Sequence, residues 1–306
     1  MAPASDTSSR SGSPPVHYAL AIYPGFQLLD LAGPLDILNQ LSELKIASQD
    51  NPQRLDLTII AETLDPVSSK PIAPPNADWT FDLQAAALNT GGRVNTQFTQ
   101  YLQPDSTFDD YLTAVEGGTR EIDVLLIPGG VGSRLTRVHH HRHSGSADSS
   151  TSTSTTLNVQ SLYDFIPKIA RHIGTAIITV CTGSDILAKS GLLDGRRATT
   201  NMKRFDFVAG RNPHVAWQKG ARWVRSLPSE ASSRTADDDA ASASAVQCEI
   251  WSSAGISAGM DVTLAFVEHF YGGKEVARGL AEALEYDWRE IGEGERDPLY
   301  QKFFAL

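Results

Sequence analysis

What most constrains this chain is a series of short, continuously apolar runs, each followed by a segment with helical spacing. HYALAIY (His17–Tyr23), RLDLTIIAE (Arg54–Glu62), IDVLLIPGG (Ile122–Gly130) and TAIITV (Thr175–Val180) have strand length and end in turn residues or a helix. The runs show little of the apolar–polar alternation of a half-exposed strand. Such strands are buried on both faces, which a parallel sheet between two helical layers provides. Helical patterns fill the gaps. In LLDLAGPLDILNQL (Leu28–Leu41) leucines recur at 31, 35, 38 and 41, with Gly33-Pro34 near the helix start where proline is tolerated. FDDYLTAV (Phe108–Val115), LNVQSLYDFIPKIARHI (Leu157–Ile173), CTGSDILAKSGLL (Cys181–Leu193), ISAGMDVTLAFVEHFYG (Ile256–Gly272) and KEVARGLAEALEYDW (Lys274–Trp288) follow, the last before a polar tail. RRATT (Arg196–Thr200), ARWVRS (Ala221–Ser226) and CEIWSSAG (Cys248–Gly255) add strand candidates. The fold class is α/β, with a mostly parallel sheet and helices on both faces.

One domain over residues 16–306 accounts for this alternation. Residues 1–15 are rich in Ser, Pro and Gly and read as a disordered tail. The stretch from Leu64 to Asn95 reads as an irregular excursion. RVHHHRHSGSADSSTSTSTT (Arg137–Thr156) should loop out, as should the Ser, Ala and Asp-rich Leu227–Ala245, because βα units resume beyond each. His139, His140, His141 and His143 lie in the first of these and read as a solvated loop, not a metal site.

Lys and Arg number 26 against 36 Asp and Glu, a formal charge of −10, which argues against a nucleic-acid partner. No run reaches membrane-helix length, and the N-terminus lacks the apolar core of a secretory signal. The two cysteines, Cys181 and Cys248, are too few for a disulfide scaffold and point to a reducing, cytoplasmic setting.

In open α/β sheets ligands bind beyond the carboxyl ends of the strands. Cys181 is the first residue past the strand Thr175–Val180 and stands at the mouth of the next helix, the placement of a nucleophile elbow. The helix terminus is expected to lower the thiol pKa, with Thr182 and Gly183 supplying backbone N–H groups beside the sulfur. The competing reading is a small buried hydrophobe, and for Cys248, inside a strand, that reading prevails. Gly129 and Gly130 follow another strand end and form a plausible second wall with an oxyanion donor. Asp30 interrupts an apolar stretch after the first strand, either as a helix N-cap or as a partly buried carboxyl facing the thiol, its pKa raised by burial and by a neighbouring thiolate. Ile256, near another strand end, either lines the pocket or packs in the core.

YPGFQLLDLAGPLDIL, DVLLIPGG, ITVCTGSDILAKSGLLDGRRATT, SAGISAGMDVTLAFVE and ALEYDW, in this order, resemble the ThiJ/PfpI superfamily of class I glutamine-amidotransferase-like proteins. More narrowly they resemble its isonitrile hydratase branch, which combines a Cys-Thr-Gly-Ser elbow with a Leu-Asp-Leu-x-Gly-Pro segment. The resemblance implies a flavodoxin-like sandwich, usually a homodimer, acting on a small molecule without metal or organic cofactor. It assigns Cys181 as nucleophile, Asp30 as its acidic partner, Thr182 as the residue after the nucleophile, and Gly129 and Gly130 to the oxyanion side. Gly183 and Ile256 complete the expected pocket. The implied activity is hydration of isonitriles to N-substituted formamides. Two departures bear on alternatives. Thr182 stands where peptidase-like relatives carry histidine, and Asn201 follows Thr199-Thr200 where many relatives carry histidine, which disfavours protease and glyoxalase-like or deglycase-like chemistry. A redox sensor oxidised at Cys181 is the alternative from another class. The ligand-sensing part of an AraC-type regulator is a third, disfavoured because a helix-turn-helix module has no room before Leu306.

Overall fold

The computed structural model describes residues 13–48, 54–84, 93–142, 151–231 and 247–304. The proposed tail up to residue 12, positions 143–150 of the first insertion and 232–246 of the second therefore lie outside the described residues.

The first half of the chain supplies β1 (His17–Ala21), α1 (Leu28–Ala47), β2 (Asp56–Ala61), β3 (Val67–Ser68), β4 (Trp79–Phe81), β5 (Tyr101–Leu102), β6 (Ser106–Thr107), α2 (Phe108–Glu116) and β7 (Val124–Ile127). Then come β8 (Thr136–Arg142), β9 (Thr151–Leu157), α3 (Gln160–Ile169), β10 (Ala176–Val180), α4 (Gly183–Lys189), β11 (Arg197–Ala198), α5 (Phe205–Arg211), β12 (Ala216–Trp217), β13 (Trp223–Ser226), β14 (Glu249–Ser253), α6 (Ala258–Phe270), α7 (Lys274–Ala283) and α8 (Pro298–Phe304). Seven strands form the central sheet in the order β13-β14-β10-β7-β1-β2-β6, all parallel except β13. Every residue of β7 and β10 is buried, as their unbroken apolar sequences predict. Helices α1, α6 and α7 pack together as one layer, and α2, α3 and α4 as the other.

The chain runs outward from β1 through β2 to β6, then returns to the far side of β1 with β7, β10 and β14. Strand order therefore reverses between β1 and β7, and the crevice above that point is where such sheets take ligands.

Three expectations are corrected. The block Arg137–Thr156 does not simply loop out. Its flanks pair antiparallel as β8 and β9, from Thr136 opposite Leu157 to Arg142 opposite Thr151, and β8 also pairs with β4. Threonine is β-branched and suits an extended ribbon, so low complexity here does not mean absence of structure. Pro15, counted with the tail, is buried, and its carbonyl accepts the Tyr271 hydroxyl. The polar tail carries α8, whose Tyr300 is buried against Met202, Phe205, Ala254 and Ala258. Charge made that segment look solvated, but its Asp297 is buried against the guanidinium of Arg222, itself paired with Asp261. Among the described residues no helix is long and apolar enough to cross a membrane.

Candidate active site

Asp30 enters the crevice from the first turn of α1. Gln27, not Asp30, is the N-cap of that helix. Pro34 has no N–H to offer the Asp30 carbonyl four residues back, so the helix is locally loosened at the acid. The turn after β7 grips this segment: Gln27 N donates to Gly129 O at 2.8 Å, and Gly129 N donates to Asp30 Oδ2 at 2.9 Å. The carboxyl lies within hydrogen-bonding reach of the Cys181 thiol, while its Oδ1 is buried with no hydrogen-bond partner among the described residues. The N-cap reading of Asp30 gives way to that of a buried acid facing the sulfur.

Cys181 has φ +58°, a left-handed conformation unusual for a residue with a side chain. The strain is held from several sides. Cys181 N donates to Ser253 O and Ala254 O at 3.2 and 3.3 Å, and its carbonyl accepts the hydroxyls of Ser184 and Thr200, both at 3.0 Å. This is the elbow geometry, with the strand β10 turning abruptly into α4 and the side chain presented at the bend. Gly183 is required next because a Cβ there would come within 2.3 Å of Ile127 O. Gly129 and Gly130 are required likewise. A Cβ on Gly129 would meet Thr182 N at 2.5 Å, and one on Gly130 would meet Gly25 O at 2.3 Å, with φ +143° besides.

The fold matches known proteins. No family model matches the chain. Over 187 residues it is 25% identical to the isonitrile hydratase of Pseudomonas putida, an alignment covering 61% of this chain and 53% of the hydratase, so the chain spans about half the length of that curated relative. A ThiJ/PfpI family protein from Pseudomonas syringae superposes over 100% of this chain and 91% of its own, with a TM-score of 0.51 at 21% identity. A DJ-1 superfamily protein from Salmonella typhimurium superposes over 89% of this chain and 100% of its own, at TM-score 0.50 and 18% identity. The chain has the ThiJ/PfpI fold.

Within this ThiJ/PfpI framework the electrostatics of the elbow differ from expectation. The thiol is not lowered. Burial pushes it well above its ordinary value and the Asp30 charge adds to the rise, against opposing hydrogen bonds from the Thr182 amide and the Asn201 side chain. Cys181 is only 7% exposed, and a short helix terminus does not offset that desolvation. Burial also raises Asp30, to about 7, while the Gly129 amide and the Cys181 thiol pull it downward. Desolvation is thus the cause of the expected rise, and the thiol opposes it.

The glycine amides are already engaged. Gly129 N is held by Asp30, and Gly130 N donates to Thr182 Oγ1 at 3.1 Å, so neither stands as a free oxyanion donor. Two neighbouring loops satisfy each other's backbone here. Thr182 is a hub, its Oγ1 also 3.3 Å from the Ser133 hydroxyl. The donors that do meet the sulfur are Thr182 N and Asn201 Nδ2, the latter at 3.2 Å.

Sequence reasoning noticed Asn201 only as a missing histidine; its role as a sulfur donor needed the structure. It also missed Gly255, where a Cβ would lie 3.2 Å from Cys181 Sγ and 2.0 Å from Asn201 Nδ2. Ile256 is half-buried one residue further on. Tyr23, buried beside Asp30 and Cys181, donates from its hydroxyl to Pro128 O at 2.9 Å. Cys248 is a buried thiol raised to about 12 by burial and joins the sheet core.

Proposed function

We propose that this chain is a cysteine-dependent hydro-lyase that hydrates isonitriles to N-substituted formamides, with Cys181 as nucleophile, Asp30 as acid and base, and Thr182 holding the Gly130 turn. The observation that carries this reading is a buried carboxyl with a pKa of about 7 within hydrogen-bonding reach of a neutral thiol on a strained elbow. The likeness to isonitrile hydratase in sequence supports the substrate class.

Ionised Asp30 takes the thiol proton as the sulfur attacks the isonitrile carbon, then returns that proton to the same carbon, leaving a thioimidate on Cys181. The carboxylate next takes a proton from water as the water oxygen adds to the carbon, and the imidate nitrogen gains the proton. Collapse expels the sulfur, the hydroxyl proton passes through Asp30 back to it, and an N-substituted formamide leaves. A group near pKa 7 exchanges protons in both directions at neutral pH, which suits a shuttle better than a strong base. Asn201 Nδ2 and Thr182 N stabilise negative charge on the sulfur as it is deprotonated and as it leaves. The resemblance also supports a homodimer, and the two free, buried thiols fit a reducing compartment.

A redox-sensing role has less support, since oxidation follows thiolate character and this thiol is held neutral. Glyoxalase-like chemistry gains nothing from Asn201, which does not titrate. The test is formamide production from a simple alkyl isonitrile. Wild type is expected to turn over, with an adduct of enzyme plus intact substrate in rapid-quench mass spectra, and Cys181→Ala is expected to show neither. Full turnover by Cys181→Ala would end the proposal.

A further inference from the structure

We propose that the cavity at the carboxyl ends of β1 and β2 is a second binding site, taking a small ammonium ligand with an apolar body and a hydrogen-bond acceptor. It has a volume of about 200 Å³, and neither Asp30, Cys181 nor Thr182 lines it. The wall towards the elbow is Tyr23, whose hydroxyl is turned to Pro128 O, so the two sites are neighbours with separate linings.

Sign comes from the charges. Glu62, Asp65 and Asp78 face the cavity against the single cation Arg137, leaving two acids in excess. Glu62 is committed to Arg137 through an ion pair of 2.6 Å. Among the described residues, the Asp65 carboxylate has only the Thr63 hydroxyl, at 3.3 Å, and Asp78, 79% exposed at the mouth, faces His139 Nδ1 at 3.8 Å. Among the described residues neither aspartate has a permanently charged partner. A cation entering here meets an exposed carboxylate at the mouth and the half-buried Asp65 within, where attraction exceeds its value in water.

Arg137 is an independent observation. This buried guanidinium stacks 4.2 Å from the Trp79 ring, and its Nε and Nη2 bond Asn158 Oδ1 and Asn158 O. Its Nη1 makes no hydrogen bond with a described residue. That nitrogen is not sealed from solvent, and Arg137 lines the cavity, so the donor is open to whatever enters it. Because Glu62 already balances the charge, that donor suits a neutral acceptor such as an amide or ester carbonyl. Trp79 and Phe108 supply apolar wall for the body of the ligand.

Phenylalaninamide and 3-phenylpropanamide differ only by the ammonium group and are the probes. The first is expected to bind one-to-one, to shift the Trp79 indole N–H resonance, and to bind about tenfold tighter than the second. Replacing both Asp65→Asn and Asp78→Asn is expected to cost about tenfold in affinity and to abolish the difference between the probes, with the melting temperature of the free protein unchanged. Cys181→Ala is expected to bind as wild type does, which separates this site from the proposed reaction. Absence of saturable binding, equal binding of the two probes, or an unaffected double variant overturns the proposal.

Discussion

Asp30 and Asp297 are both shielded from solvent, 2% and 0% exposed, yet their chemistry is opposite. Burial pushes both carboxyls upward. Around Asp30 only an amide and a thiol oppose it, and the acid stays near 7 with one oxygen unpartnered. Around Asp297 two guanidiniums reverse it: Arg289 donates at 2.7 and 2.6 Å to its two oxygens, Arg222 at 3.0 Å, and the Leu299 amide at 2.8 Å, leaving the group below the usual carboxylate range. The partners a solvent-shielded acid finds separate a proton shuttle from a structural anchor.

The variant expected to break this comparison most severely is Asp30→Asn. It keeps the shape and removes the proton, so isonitrile turnover should fall by about 10² to 10⁴, the usual worth of a positioned acid–base group. Its stability should move the other way. The folded pKa of Asp30 lies above its unfolded value, so the neutral form favours folding at low pH and that contribution is lost as pH rises from about 4 through about 7. Urea titrations should show wild type losing up to a few kcal/mol relative to Asp30→Asn across that window. In wild type, kcat/KM should rise through about pH 7 as the base ionises.

Asp297→Ala should behave in the contrary sense. It leaves Arg222 buried without one of its two carboxylates, and a loss of about 3–5 kcal/mol in urea unfolding is expected. Because the folded pKa of Asp297 is depressed, its contribution holds above the unfolded value and is lost as pH falls through the folded one. Equal pH slopes for the two aspartate variants would refute the contrast.

The smallest effect sharpens the comparison at the sulfur. Asn201→Ala removes the donor 3.2 Å from Sγ and should raise the thiol further. Iodoacetamide modification of Cys181 at fixed pH should slow by about tenfold, the worth of one hydrogen bond to a charged group.

Cys181 was legible because an all-apolar strand running straight into a helix announces an elbow, and the glycines at 129, 130 and 183 were legible as turn residues. Their necessity was not, since it comes from backbone of distant segments lying within 3 Å of the missing Cβ atoms. Asn201 and Gly255 gave no local signal: they reach the sulfur from segments 20 and more residues beyond it, on loops whose approach depends on sheet order. The α8 segment was missed because Asp297 and Arg289 look solvated until Arg222, just before β13, is brought against them.

Local patterning by itself determined the alternation of strand and helix, the parallel sheet and the strand ends where a thiol and a carboxyl would emerge, because burial periodicity and turn chemistry are short-range. Only the tertiary structure decided the charge states. The thiol is raised where a helix terminus suggested lowering, and two solvent-shielded aspartates are driven apart, because desolvation and ion pairing depend on which segments meet in space.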